Sequence, residues 1–252
     1  MSFSRSLKPY RPLIIASFIV LFVLAFLRGK SYYTLGLFPL WIAAGGVFWE
    51  NILKRNFAKI LLPVIMLLLS IPIIPMGVPV YKADKLAGFF AGAKDRAGFD
   101  MALRWEDGRI HSLPQDYADM LGWDELAAIT AKAYSLVTDK KASIIYAENY
   151  GQAGAIMVIG KKYNFPEPVC FSESFFYWFP RNPDHEITSL VYINNELGED
   201  VSTLFADCRI IGKIENPLAR EYGTGVWLCT NPHSSFNEFM KQRVPQIKSP
   251  FQ

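Results

Sequence analysis

The stretch ILLPVIMLLLSIPIIPMGVPVY, residues 60–81, contains no charged side chain and ends directly before Lys82. A helix rises 1.5 Å per residue, so about 20 apolar residues are enough to cross the hydrocarbon core of a membrane. The stretch therefore predicts a membrane span over residues 60–79. Its prolines are Pro63, Pro72, Pro75 and Pro79. Because proline lacks a backbone N–H, the last third of this span is predicted to be kinked or irregular.

Two further charge-free stretches precede it, at residues 12–27 and 31–49. They predict membrane spans over residues 12–28 and 32–50. The first stretch is short, but Arg11 and Arg28 flank it, and long cationic side chains can reach the membrane surface from such positions. A cleaved signal peptide is disfavoured because no small-residue cleavage site follows and another apolar stretch begins almost at once.

Charge divides the chain at residue 81. Residues 1–81 carry eight Lys or Arg and one acid, Glu50, whereas residues 82–252 carry 18 Lys or Arg and 22 Asp or Glu. The N-terminal tail and the second loop hold three cations each, and the first loop holds two. Since cationic loops stay in the cytoplasm, the third span is predicted to run outward and to deliver residues 82–252 to the extracytoplasmic side. The acidic balance of that part gives no electrostatic support for nucleic-acid binding.

The fold predicted for the whole chain is a membrane α-helical region, residues 1–81, followed by a soluble α/β domain, residues 82–252. The sequence predicts helices over 85–99, 124–136 and 199–204, and the second of these has apolar residues at helical spacing. Short apolar runs predict five strands. They cover residues 142–147, 168–172, 188–193, 208–214 and 226–230. Residues 142–163 combine a strand, a turn and a small-residue helix, as in a parallel sheet, and the alternation of elements indicates a compact three-layer domain.

Cysteine and histidine are sparse and scattered. Cys170, Cys208 and Cys229 are too few for a disulfide framework, and we interpret them as small buried apolar residues, although one pair could bridge in an oxidising compartment. No His lies at ligand spacing from another His or Cys. We therefore predict neither a metal nor a cofactor.

The loop between the first two spans carries the clearest candidate binding residues. Arg28, Lys30, Tyr32 and Tyr33 lie in this very short, outward-facing segment. Two cations and two interfacial tyrosines suit a phosphate or pyrophosphate headgroup at the membrane surface. The same residue types also anchor helices without binding a ligand, and both interpretations stay open.

Three features of the domain admit two interpretations each. The turn at residues 149–154 could bind an anion at a helix N-terminus, but a tight turn with close helix packing is favoured. Acids at 116, 119, 124 and 125 could serve acid–base chemistry, but helix capping is favoured. The aromatic run at residues 175–179 could stack on a sugar or pack against the membrane helices.

Several motifs occur in the order found in a known family. In the membrane part they are Gly29-Lys30-Ser31-Tyr32-Tyr33, Phe38-Pro39-Leu40 and Gly45-Gly46 with Glu50. In the domain they are residues 113–125, 149–156, 175–180 and 226–232. Together they resemble bacterial family 39-type, GT-C type membrane glycosyltransferases, which are related to protein O-mannosyltransferases and aminoarabinose lipid A transferases. The resemblance covers essentially the whole chain.

This resemblance implies a transferase of the bacterial inner membrane that moves a sugar from a polyprenyl-phosphate donor to an extracytoplasmic acceptor. It implies that Arg28 and Lys30 contact the lipid-linked phosphate and that Tyr32 and Tyr33 line that site. The family's catalytic acids lie in an extracytoplasmic loop ahead of the region that this chain resembles. The chain therefore looks like a C-terminal portion that is not catalytic alone and that has a separately encoded catalytic half as a possible partner. The alternative is a membrane-anchored binding or assembly module without catalysis.

Overall fold

A computed structural model describes residues 5–27, 31–178 and 186–248 of the chain. The chain divides into two compact units, Met1–Val80 and Tyr81–Gln252. We call the first the helical unit and the second the domain, and we describe each by itself.

The helical unit is built from apolar helices joined by short turns. Its α-helices are α1 (Arg11–Phe26), α2 (Phe38–Ile52), α3 (Asn56–Ser70) and α4 (Ile74–Gly77). Turns of 3₁₀ helix cover Arg5–Tyr10, Ser31–Leu37 and Ile71–Ile73. Pro12 and Pro39 stand in the first turns of α1 and α2, where the missing N–H costs no intrahelical hydrogen bond.

Three continuous helical segments of this unit are long and apolar enough to span a membrane. They are Lys8–Phe26, Tyr32–Ile52 and Asn56–Gly77, of 19, 21 and 22 residues. Large apolar side chains along them are exposed, among them Phe22 and Ile42, each 72% exposed. An apolar surface of this extent suits contact with lipid or protein and not with water. The sequence prediction of three membrane-length segments is confirmed.

The last of these segments is irregular where the prolines are closest together. α3 passes through Pro63 without interruption, but the helix tightens to a 3₁₀ turn that contains Pro72 and continues as the short α4. α4 ends at Gly77, and Val78 is extended. The predicted irregularity of the last third is therefore confirmed, while the segment begins at Asn56, four residues before its predicted start.

The domain combines six α-helices, three short 3₁₀ helices (Met101–Leu103, Gly160–Tyr163 and Glu173–Trp178) and four strands in the part of the chain that the structure describes. The helices are α5 (Ala83–Ala97), α6 (Gln115–Ala118), α7 (Trp123–Ser135), α8 (Tyr150–Ile159), α9 (Glu199–Ser202) and α10 (Ser234–Lys248). The strands are β1 (Ser143–Ala147), β2 (Ser189–Asn194), β3 (Phe205–Lys213) and β4 (Gly225–Pro232). The predicted helix-plus-sheet class of the domain is confirmed.

The four strands form one mixed sheet in the order β1-β2-β4-β3. β1 and β2 are parallel and are joined through α8, as the strand–helix–strand pattern predicts. β4 pairs antiparallel with both β2 and β3, so the sheet is not parallel throughout. The predicted strand at 168–172 is reduced to a bridge in which Val169 exchanges two hydrogen bonds with β1. Pro168 cannot donate a further ladder hydrogen bond, which keeps this pairing short.

Both faces of the sheet are covered because successive strand residues point to opposite sides. On one face, Ile145, Val191 and Ile193 pack with Leu126 of α7 and Ile156 of α8. Each of these five side chains is at most 1% exposed. This dry layer fixes the position of the α8 N-terminus relative to the ends of β1 and β2.

The other face of the sheet is covered by α10. Leu190 and Tyr192 of β2 share a core here with Phe236, Met240 and Val244 of α10. These three α10 residues are spaced four apart and form one stripe, which is the arrangement of an amphipathic helix. α10 was not predicted from the sequence, although the four-residue spacing of its apolar residues indicates a helix.

Cys208 of β3 and Cys229 of β4 are directly opposite in the antiparallel register and form a disulfide. Their Cα atoms are 4.1 Å apart, slightly below the usual range of about 4.4–6.8 Å for bridged cysteines. Cys170 is buried and is not in a disulfide. The favoured interpretation of the cysteines as small buried apolar residues is therefore wrong for this pair, for which the alternative of one bridged pair is confirmed, and correct for Cys170.

Candidate functional site

The residues predicted to bind a lipid-linked phosphate are only partly within the described chain. Arg28 and Lys30 lie outside the described residues. Tyr32 and Tyr33 stand at the start of the second membrane-length segment, are 52% and 58% exposed, and have ring centroids 4.6 Å apart in an edge-on arrangement. Exposed tyrosines near a helix end fit either a headgroup contact or interfacial anchoring. The headgroup site stays a prediction.

The acids around Trp123 serve the structure of the domain. Asp119 receives two hydrogen bonds from the Arg220 guanidinium, at 2.9 and 3.1 Å, and Asp124 lies 2.9 Å from the Lys162 ammonium. The Glu125 carboxylate accepts hydrogen bonds from two backbone N–H groups of the β3–β4 loop. These contacts hold the loop against α7 and give Asp119, Asp124 and Glu125 structural partners.

The favoured interpretation, that these acids cap a helix and favour its positive N-terminal end, is wrong for the cap and confirmed for the placement of Asp124 and Glu125 in the first turn of α7. The residue at the N-cap of α7 is Gly122, whose φ of +87° lies in the left-handed region, and no side chain caps this end. A Cβ at Gly122 would lie 3.1 Å from side-chain atoms of Ala219 and Ile214. Asp124 and Glu125 stand in the first turn of α7, where their charge favours the helix dipole without a cap.

The turn at residues 149–154 forms the start of α8. The Asn149 side chain accepts a hydrogen bond from the Gln152 N–H at 2.9 Å and caps the helix. The same carboxamide oxygen would lie 3.2 Å from a Cβ at Gly151, so the cap comes very close to the backbone there. These contacts favour the tight-turn interpretation over an anion site.

The aromatic run at 175–179 is divided between core and surface. Phe176 is buried, and Phe175 packs against the core beside α8, whereas Tyr177 and Trp178 are exposed. Phe179 lies outside the described residues. None of the described members of this run lines the cleft described below.

The carboxyl ends of β1 and β2 form the place where polar side chains converge. After β1 the chain enters α8, which packs on the α7 face of the sheet, and after β2 it enters α9, whose Val201 packs on the α10 face. Adjacent parallel strands whose connections leave to opposite faces create a crevice at their carboxyl ends, and open α/β sheets bind ligands there.

On the α8 side of this edge, the Glu221 carboxylate contacts two buried polar side chains, Gln152 and Thr224. Gln152 Nε2 donates to Glu221 Oε2 at 2.9 Å, and the Thr224 hydroxyl lies 3.0 Å from the same oxygen and 2.7 Å from Asn195 Oδ1. Gln152 is 1% exposed, and its Oε1 atom has no hydrogen-bond partner among the residues that the structure describes. A buried acceptor without a donor carries a free-energy cost that a water or another donor would relieve.

On the α10 side, the same edge opens into a cavity of about 520 Å³, which we call the tyrosine cleft. Its polar lining consists of Tyr146, Glu148, Tyr192, Asp200 and Arg243. Its apolar lining consists of Ile144, Phe171, Leu190, Val201, Leu204, Phe236, Phe239 and Met240. A volume of this size and a mostly apolar wall with a few polar groups are typical of small-molecule sites.

An aromatic row crosses the sheet at the base of the tyrosine cleft. Tyr146 and Tyr192 are register partners on β1 and β2, and their rings are parallel with centroids 6.0 Å apart. Phe171 continues the row beyond Tyr146 at 5.6 Å, and Trp227 of β4 continues it beyond Tyr192 at 6.1 Å. The row exists because β4 lies next to β2 and places a third strand's aromatic residue beside the two tyrosines.

Hydrogen bonds link Tyr192 of this row to the Glu148 carboxylate and to Asn194. The Tyr192 hydroxyl donates to Glu148 Oε2 at 3.3 Å and accepts from Asn194 Nδ2 at 3.0 Å. Burial, with the nearby Glu148 charge, raises the pKa of Tyr192 to about 12 and raises the pKa of Tyr146 as well. Both phenols therefore stay neutral at physiological pH and act as hydrogen-bonding and stacking groups.

The tyrosine cleft was not predicted from the sequence. Residues 144 and 146 alternate with the core residues of β1, and residues 190 and 192 alternate with those of β2. That period of two indicates that both tyrosines share one face, but it does not tell which strands are neighbours. The available indication was the repeated pattern of an aliphatic residue followed two positions later by tyrosine in two predicted strands.

Among the residues that the structure describes, no three His, Cys, Asp or Glu side chains are grouped as metal ligands. Comparison with family models, curated proteins and solved structures found no match for this chain.

Proposed function

We propose that this chain is the C-terminal portion of a membrane glycosyltransferase that uses a polyprenyl-phosphate sugar donor and an extracytoplasmic acceptor. The helical unit would hold the lipid-linked donor near Arg28 and Lys30, and the domain would serve the acceptor side. Two observations support this proposal: the resemblance of the sequence motifs, and the succession of membrane-length helices and an α/β domain. The chemical step itself would require a catalytic carboxylate from outside these 252 residues, either from another part of the protein or from a separately encoded half.

The observation that carries this proposal is the direct succession of three membrane-length helices and a domain with a built crevice. The third segment ends at Gly77, and the first helix of the domain begins at Ala83. A ligand-sized cavity at a switch point of the sheet gives the domain a place for a small molecule. A purely structural anchor would have no need of such a cavity.

The disulfide supports the extracytoplasmic side for the domain. Disulfides persist in oxidising compartments and are rare in the cytosol, where thiols are kept reduced. The Cys208–Cys229 bridge therefore agrees with the orientation predicted from the cationic loops. Alkylation of isolated cells with a membrane-impermeant reagent, before and after reduction, would measure on which side these cysteines lie.

Replacement of Lys30 tests the donor site. We expect Lys30→Ala to weaken binding of polyprenyl phosphate to the full chain in detergent micelles about fivefold, since one interfacial cation contributes about 1 kcal/mol. Lys54→Ala removes the same charge from the second loop, on the predicted cytoplasmic side, and is expected to leave binding unchanged. Equal affinities for wild type and Lys30→Ala, or equal losses in both variants, would contradict the assignment.

A second candidate function is a membrane-anchored binding module without catalysis. One observation favours it: Glu50 is the single acid before residue 82, and it lies 3.9 Å from the Lys59 ammonium. The helical unit therefore offers no other carboxylate to activate an acceptor hydroxyl. Transfer of labelled sugar from a polyprenyl-phosphate donor, measured with and without a candidate catalytic half, distinguishes the two functions. A binding module would bind its ligand and transfer no sugar under either condition.

A further inference from the structure

We infer that the tyrosine cleft binds the carbohydrate acceptor and excludes the phosphate of the lipid-linked donor. This inference rests on the proposed function, because it assigns one of the two substrates to a defined place in the domain. It is carried by the shape, the aromatic row and the charge of the cleft, which are independent of the residues in the helical unit.

The aromatic row supplies an apolar surface on which a sugar ring can stack. One face of a pyranose ring presents C–H groups, and these pack favourably on the flat surface of an aromatic side chain. Tyr146 and Phe171 are half-buried, so part of each ring faces the cleft, and Phe239 of α10 forms an exposed wall at 45% exposure. Tyr192 is 3% exposed, so it supports the Tyr146 ring from the neighbouring strand and adds little surface of its own.

The polar groups of the cleft are suited to hydroxyl donors. Glu148 and Asp200 are exposed carboxylates, and a carboxylate can only accept hydrogen bonds when ionised. Sugar hydroxyls are donors, and hydrogen bonds to a charged acceptor are about twice as strong as neutral ones. The Tyr192 hydroxyl already donates to Glu148 and accepts from Asn194, so it helps to position the Glu148 carboxylate.

Charge separates the acceptor from the donor substrate. The cleft is lined by two carboxylates, Glu148 and Asp200, and by one cation, Arg243. Like charges within a few ångströms repel, so a phosphate in the cleft would meet a net negative lining. A neutral sugar meets no such repulsion. We therefore assign the phosphate of the donor to the cationic loop of the helical unit and the acceptor to the cleft.

The experiment uses the full chain in lipid nanodiscs. A printed array of neutral oligosaccharides identifies glycans that are retained, and calorimetric titration of one retained glycan gives its affinity. Inorganic phosphate and phenyl phosphate serve as competitors. We expect at least one neutral glycan to bind with a dissociation constant below about 1 mM, a weak affinity that corresponds to about 4 kcal/mol. Neither phosphate compound is expected to displace it.

Two charge-neutralising substitutions test the polar groups. Asp200→Asn and Glu148→Gln keep the size of each side chain and are each expected to weaken glycan binding about tenfold, the loss of one charged hydrogen bond. Glu199→Gln is the matched control for Asp200, since Glu199 is its exposed neighbour on α9 and does not line the cleft. Glu167→Gln is the corresponding exposed control for Glu148. Protection of the buried Cys170 thiol against alkylation verifies that each variant is folded.

Three results would overturn the inference. They are retention of no neutral glycan by wild type, equal affinity in the cleft variants and their controls, and displacement of the glycan by phosphate. Failure here is separable from failure of the proposed function. If Lys30→Ala weakens polyprenyl-phosphate binding while no glycan binds, the donor site stands and the cleft assignment falls. If the glycan binds and depends on Asp200 while Lys30→Ala has no effect, the cleft stands and the donor site falls.

Discussion

Reduction of the Cys208–Cys229 disulfide is expected to destabilise the domain by about 3 kcal/mol. The bridge closes a loop with a sequence separation of 21 residues. The chain-entropy relation for a loop of this length gives about 3 kcal/mol of stabilisation at 25 °C, because the open chain has more unfolded conformations. For a domain of this size in urea, a slope of about 2 kcal/mol per molar converts this to a fall of about 1.5 M in the unfolding midpoint.

The assay must report on the domain and not on the helical unit, because the two units need not unfold together. Cys170 is buried in the core beside α8 and is the free thiol of the oxidised domain. Pulsed alkylation in increasing urea, read by mass spectrometry on the peptide that contains Cys170, therefore follows opening of the domain core alone. The full chain in detergent micelles is compared with and without reductant.

The double variant Cys208→Ala/Cys229→Ala is the control, and reductant should not move its midpoint. The reasoning is refuted if reductant leaves the wild-type midpoint within about 0.3 M of the oxidised value, a difference that corresponds to well under 1 kcal/mol. It is also refuted if chain isolated without reductant has free thiols at both positions.

Two further perturbations test the domain. Gly122→Ala should lower the free energy of unfolding by about 1–3 kcal/mol in the same assay, because a side chain is strained at φ +87° and would press on buried Ala219 and Ile214. Gly92→Ala is the control: a Cβ there meets no described atom within 4 Å, so the free energy of unfolding should not fall. The pKa of Tyr192 is raised from 10.0 to about 12 in the folded domain, so its contribution to the free energy of unfolding is complete below pH 10. About 3 kcal/mol of that free energy is lost as pH rises from 10 to 12. Tyr192→Phe should show a smaller fall of the urea midpoint over that range, and an equal fall would contradict the assignment.

Periodicity was sufficient to predict the elements with strong local patterns. α7 spans Trp123–Ser135 where helical spacing predicts 124–136, and β2 spans Ser189–Asn194 where an apolar run predicts 188–193. These segments bury one or both faces completely, so their hydrophobic pattern is continuous. α10 was missed because its buried stripe has only three members and the helix contains Pro245, which is unusual in a helix interior.

Pairing between strands could not be predicted from the same patterns. The insertion of β4 between β2 and β3 depends on contacts between segments far apart in the chain, and a period of two is compatible with any neighbour. The disulfide and the aromatic row both follow from that insertion, since Cys229 and Trp227 stand on β4. For this reason the sequence predicted the tyrosines as strand residues and did not predict the cleft.

The mixed order of the sheet also has a consequence for how the domain is assembled. β3 and β4 form a hairpin whose innermost partners, Lys213 and Gly225, are 12 residues apart, whereas the register partners Ser143 and Ser189 of β1 and β2 are 46 apart. Closing a longer loop costs more entropy, and contacts between distant residues slow folding. We therefore expect the hairpin to form before the parallel pair. The two tyrosines are then brought side by side in the slowest step, and any molecule bound between β2 and α10 would favour the completed sheet over its partly folded precursors.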